Sequence, residues 1–221
     1  MTKQEVLGKI QESGIVAVVR ANSAVSAMQV CEAILDGGIN CLEITLTVPD
    51  AINVIRDLNN KFGEQVLIGA GTVLDANIAR DCIEAGSQFI VTPYLSLETI
   101  DFCRDSEKVV IAGALTPTEI FTAWKAGSDC VKVFPVNAVG GAGYLKSIQA
   151  PFPDIKLLPT GGINLENVSE FSGANIFAVG VGGELADANM LQLKGKWEIT
   201  NLAHLYQNKF LGVRGRTPDT P

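Results

Sequence analysis

The sequence predicts an α/β protein, a single-domain (β/α)8 TIM barrel over residues 1–210 followed by a loose C-terminal tail over 211–221. Three observations predict it. Eight short β-branched apolar runs recur from one end of the chain to the other. Each run is continuously apolar instead of alternating, as expected of strands buried on both faces of a parallel sheet. Helical patterns separate the runs, and eight βα units in a chain of 221 residues suit one small closed barrel.

The runs are IVAVVR (15–20), CLEITLT (41–47), VLIGAGT (66–72), FIVTP (89–93), VVIAGAL (109–115), CVKVFP (130–135), KLLPTGG (156–162) and IFAVGVGG (176–183). Between them lie helical patterns such as SAVSAMQVCEAILDGG and, before the last strand, LENVSEFSGAN. Gly38, Gly86, Gly127 and Gly173 close helical patterns ahead of strands two, four, six and eight, where glycine suits the left-handed position after a helix end. That spacing suggests repeated βαβα quarters, although αβ loops use glycine in any case. A doubly wound sheet is the main competitor. It would place a Gly-rich GxGxxG turn after strand one, where this chain reads VVRANS. The final stretch, LGVRGRTPDTP, reads as tail.

Charge and composition remove several function classes. A net charge of −7 with no basic cluster argues against nucleic acid. The opening MTKQEVLGKI lacks a signal-peptide core, and no apolar run is long enough to span a membrane, so a cytoplasmic protein is expected. Cys31, Cys41, Cys82, Cys103 and Cys130 are dispersed without a CxxC pair, which reads as reduced, buried thiols and not as a nucleophile. His204, the only histidine, falls in a helical stretch and reads as structural. No metal site and no organic cofactor are expected.

In a barrel, chemistry sits at the C-terminal ends of the strands. The polar residues that interrupt the apolar runs near those ends are Arg20, Glu43, Thr45, Thr47, Thr72, Thr92, Lys132 and Thr160. Lys132, flanked by Val131, Val133 and Phe134, alternates opposite to its neighbours and points into the upper barrel. Desolvation favours its neutral amine, the form that attacks a ketone to make an imine. Glu43 stands at the equivalent level of strand two, and a carboxyl in an apolar wall is suited to shuttling the protons that imine chemistry moves. The plainer explanation is a structural Lys132–Glu43 ion pair. Arg20 offers a planar fork for a carboxylate, with Thr72 and Pro93 beside it. The loops PTGGI (159–163) and GVGGEL (180–185) supply Gly161, Gly162, Gly182 and Gly183 as backbone N–H donors, at the two places where barrels bind phosphate.

These phrases, IVAVVRAN, GGINCLEITLTVPDA, IGAGTVLD, FIVTPYL, GALTPTE, VKVFP, APFPDIKLLPTGGI and AVGVGGEL, resemble the 2-keto-3-deoxy-6-phosphogluconate (KDPG) and 4-hydroxy-2-oxoglutarate (KHG) aldolases from about Gly14 to Asn208. The resemblance implies Lys132 as the Schiff-base lysine and Glu43 as the general acid/base. It places Arg20, Thr72 and Pro93 near the keto-acid carboxylate and matches Gly161, Gly162 and the strand-eight loop to the family's phosphate site; Thr47, Phe134 and Thr160 are further candidate substrate contacts. Some members carry the carboxylate-binding arginine where this chain has Thr47. Many carry a serine where this chain has Gly183, followed by Glu184. The family also implies a homotrimer acting on a small keto acid. Two other classes remain in view: a phosphosugar isomerase or epimerase on the same barrel, and a non-catalytic keto-acid-binding barrel.

Overall fold

The computed structural model describes residues 1–214 apart from Ala174, Glu184 and Asp187. All eight expected strands form: β1 (Ile15–Val19), β2 (Cys41–Thr45), β3 (Leu67–Gly71), β4 (Phe89–Val91), β5 (Val109–Ala114), β6 (Cys130–Val133), β7 (Leu157–Pro159) and β8 (Val179–Val181). Consecutive strands pair in parallel, β1 also pairs with β8, and parallel bridges Leu157–Ile176 and Thr160–Gly180 bring the last strand back to β7. The sheet is a barrel. Helices α2 (Ala24–Asp36), α3 (Ala51–Phe62), α4 (Ala76–Glu84), α5 (Leu97–Asp105), α6 (Pro117–Ala126) and α7 (Gly141–Gln149) connect the strands, with α8 (Ala188–Lys194) and α9 (Lys196–Arg214) after β8.

Alternation along each strand builds two cores. Val16, Cys41, Leu67, Phe89, Ile111, Cys130 and Leu158 point inward and share one cluster. Their neighbours Ile15, Leu42, Ile68, Ile90, Val110, Val131 and Leu157 point outward and pack under the helices. The continuous apolar runs in the sequence are the sum of these two faces. A first helix, α1 (Lys3–Ser13), which the pattern of apolar runs does not predict, closes the N-terminal end of the barrel. Its Val6, Leu7 and Ile10 belong to the inner cluster, and Lys3 pairs with Asp129 at 3.0 Å. A Thr2–Glu5 capping box starts α1 and Gly14, at φ 67°, ends it.

Two expectations need correction. LENVSEFSGAN does not make a helix between β7 and β8; only a 3-10 turn, Val168–Phe171, forms there. Asparagine side chains compete for the backbone: Asn164 Oδ1 accepts from the N–H groups of Glu166 and Asn167, and Asn167 Oδ1 accepts from Asn164 N–H. Accordingly Gly38, Gly86 and Gly127 are left-handed, at φ 95°, 103° and 102°, whereas Gly173 is not. The other correction concerns the tail. Residues 211–214 continue α9, and 215–221 lie outside the described residues.

Candidate active site

Lys132 and Glu43 meet inside the upper barrel. Their strands lie on opposite sides of the sheet, and alternation aims both side chains inward. Lys132 Nζ lies 3.1 Å from Glu43 Oε1 and 3.5 Å from Oε2, with Lys132 5 % and Glu43 0 % exposed. The Phe134 ring centroid is 5.6 Å from the same nitrogen. The buried threonines at nearby strand ends are engaged elsewhere: Thr45 Oγ1 donates to Val19 O, and Thr92 Oγ1 donates to Tyr94 O and accepts from Gly113 N–H. Those two strand threonines are structural ties.

A cavity of about 300 Å³ opens over the pair at the C-terminal ends of the strands. Arg20, Thr72, Pro93, Lys132, Phe134, Thr160, Gly161, Gly162, Gly182 and Gly183 all line it, so ten of the twelve expected site residues share one space. Glu43 is behind Lys132 and does not line it. Thr47 is exposed and bonds Thr45 Oγ1 at 2.7 Å, outside the cavity lining. Arg20 is exposed and makes no ion pair among the described residues, leaving its guanidinium for an anion. Thr72 carries a backbone φ of 59°, which few β-branched residues tolerate, directly after β3. Gly161, Gly162 and Gly183 sit at φ 98°, 72° and 40°. Glu184 is outside the described residues. Thr160 Oγ1 is buried with no hydrogen-bond partner among them, a situation that persists in proteins when a ligand completes the bond.

Sequence reasoning missed Val18, Ile163, Asn164, Gly180 and Tyr206 of the cavity lining. Val18 shares the inward parity of Val16 and Arg20 and was readable from alternation. Tyr206 arrives from α9, and no local pattern marks that approach. The five cysteines are buried. Burial pushes the Cys82 and Cys103 thiols up to about 12 and raises those of Cys31, Cys41 and Cys130 further. None is a thiolate nucleophile near neutrality.

A parallel eight-stranded barrel with one buried amine–carboxylate pair under a cavity at its strand ends has the layout of a barrel enzyme acting on a small molecule. The pair alone fits both imine chemistry and a structural ion pair. Comparison with known proteins identifies the family. A profile of the KDPG and KHG aldolase family matches residues 6–202, and the chain belongs to that family. It is 34% identical to the 2-dehydro-3-deoxy-phosphogluconate aldolase of Pseudomonas aeruginosa over 171 residues, 77% of each chain. To the 2-dehydro-3-deoxy-6-phosphogalactonate aldolase of Escherichia coli it is 33% identical over 172 residues, 77% of this chain and 83% of that one. Among solved structures it is similar to the KDPG aldolase of Legionella pneumophila, crystallised with pyruvate captured as a covalent carbinolamine. The TM-score there is 0.83 at 32% identity, covering 90% of this chain and 96% of that one.

Proposed function

We propose that the protein is a class I aldolase that cleaves 2-keto-3-deoxy-6-phosphogluconate to pyruvate and glyceraldehyde 3-phosphate, and 4-hydroxy-2-oxoglutarate to pyruvate and glyoxylate by the same route. The observation that carries this reading is the buried Lys132–Glu43 contact of 3.1 Å beneath a cavity lined by Arg20, Thr72 and the glycines of the last two strand ends. Lys132 passes a proton to Glu43 across their 3.1 Å contact and attacks C2 of the keto acid as the free amine. The Glu43 carboxyl then assists loss of water from the carbinolamine to give an iminium. The iminium draws electrons from the C3–C4 bond as the C4 hydroxyl loses its proton to Glu43 through a water, since the carboxyl does not itself line the cavity. The pyruvate enamine is protonated at C3, and hydrolysis returns Lys132 and frees pyruvate. Arg20 and Thr72 hold the keto-acid carboxylate near Pro93. Thr160 Oγ1 meets a substrate oxygen, and Phe134 walls the imine. The N–H groups around Gly161, Gly162, Gly182 and Gly183 take the far phosphate.

The carbinolamine caught in the Legionella enzyme supports the imine route. The isomerase alternative has no use for an amine in β6. A homotrimer is also proposed, from the family resemblance and from a similar chain that forms part of a cage designed by fusing symmetric oligomeric domains. Sedimentation of the purified protein at three times the monomer mass would support it, and a single monomer boundary would dismiss it. A cytoplasmic location fits five free thiols. No helix among the described residues is long and apolar enough to cross a membrane.

The deciding experiment is borohydride reduction with pyruvate, followed by peptide mass mapping. The expected result is a reduced pyruvate adduct on Lys132, lost in a folded Lys132→Ala variant. A folded protein that forms no adduct, or forms it on another lysine, would refute the assignment.

A further inference from the structure

Glu43 and Gly71 lie on adjacent strands, with Glu43 paired to Gly69 and Thr45 to Gly71. Both residues face the barrel interior, so the Glu43 side chain leans along the sheet over the Cα of Gly71. A Cβ built on Gly71 would stand 2.1 Å from Glu43 Oε1 and 2.6 Å from its Cδ and Cγ. Three atoms of the glutamate therefore occupy the volume that any other residue at 71 would fill. Gly71 is not among the positive-φ glycines, so its backbone does not require glycine. The side chain lying against it does.

We infer that Gly71 is a positioning residue of the reaction: its missing Cβ is the slot that holds the Glu43 carboxyl 3.1 Å from the Lys132 nitrogen. The inference rests on the reading of Glu43 as the proton carrier. The carboxyl is 0 % exposed and lies over the Gly71 position of β3, with its two oxygens 3.1 and 3.5 Å from the lysine nitrogen. An alanine at 71 displaces it by about the width of a methyl group. A misplacement of about 1 Å in a reacting group lowers turnover by about 100-fold.

A double-mutant cycle tests the slot. Alanine at 43 removes Cγ, Cδ and Oε1, the three atoms that occupy the space over residue 71. The four proteins are the wild type, Gly71→Ala, Glu43→Ala and the double variant. Each is measured for kcat and KM in keto-acid cleavage and for exchange of the pyruvate methyl hydrogens with solvent deuterium. In the wild-type background the alanine at 71 is expected to lower kcat and the exchange rate by about 100-fold, with KM moving far less. In the Glu43→Ala background the same alanine should change the residual kcat by no more than about twofold, the scatter found for independent sites. An equal factor in both backgrounds, or a loss confined to KM, overturns the slot. If Gly71→Ala does not fold, thermal unfolding replaces kcat: the double variant should melt with Glu43→Ala, and its failure to fold also overturns the inference. Failure of the underlying reading looks different. There Glu43→Ala turns over like the wild type, and Glu43 carries no proton.

Discussion

Thr72 combines a β-branched side chain with a φ of 59° at the mouth of the cavity. Such a backbone costs about 1–3 kcal/mol and persists where the site needs it. Thr72→Gly should therefore raise stability by about 1 kcal/mol, a rise of about 2–4 °C in Tm. Losing the hydroxyl opposite a carboxylate should raise KM about tenfold. Thermal unfolding and steady-state kinetics check both, and a lower Tm would mean that the conformation is unstrained. Lys132 makes a second residue-scale prediction. Lys132→Met strands the Glu43 carboxylate at 0 % exposure, which should cost about 3–5 kcal/mol in urea unfolding. Adding Glu43→Gln should recover most of the loss, and equal stability of Lys132→Met and wild type would show that the pair is not an ion pair. Lys132 and Glu43 were legible in the sequence because a charge inside an apolar run is conspicuous. The dihedral of Thr72 and the slot at Gly71 were not, because both exist only once β3 lies beside β2.

The helices on the outside are set by their ends. At α6, Thr116 Oγ1 caps Glu119 N–H, and Glu119 Oε2 accepts from the Leu115 and Thr116 N–H groups, with Pro117 in the first turn. Thr116→Ala should cost about 1 kcal/mol of stability. The Thr116 and Leu115 N–H groups, then the Thr116 hydroxyl, hold the Glu119 carboxyl below its ordinary value of 4.5. A lowered value in the folded state stabilises above the ordinary value and loses that contribution as pH falls through the lowered one. Wild type should therefore exceed Glu119→Gln in stability at neutral pH, with the gap closing below about pH 4.5. A gap that stays constant down to acid pH would show that the charge of Glu119 plays no part. Between β7 and β8 the same element-scale physics misleads a sequence reader. Leucine, valine and phenylalanine at helical spacing in LENVSEFSGAN suggest a helix, but Asn164 and Asn167 turn the backbone onto their own side chains. Strand positions were easier to read, since a two-sided burial leaves an uninterrupted apolar run.

Across the whole molecule the barrel interior is divided by height. Its lower part is apolar and closed by α1, and its upper part holds the ion pair and the cavity. Helix α1 is hard to read in the sequence because only Val6, Leu7 and Ile10 of its residues are buried and its other positions are largely polar. Nothing local tells that those three fill the end of a barrel instead of lying on its side. The division predicts that stability and chemistry can be separated. Ile10 is 0 % exposed and touches the inner cluster, so Ile10→Ala should lose about 2–5 kcal/mol through transfer and cavity terms. Phe89 and the other inner side chains stand between it and Lys132, so the folded variant should form the pyruvate adduct and turn over at the wild-type rate. Urea unfolding gives the first number, and borohydride titration of active sites with kcat per site gives the second. A fall in kcat per trapped site would mean that the plug sets the geometry of the upper barrel and that the two halves of the core are not independent.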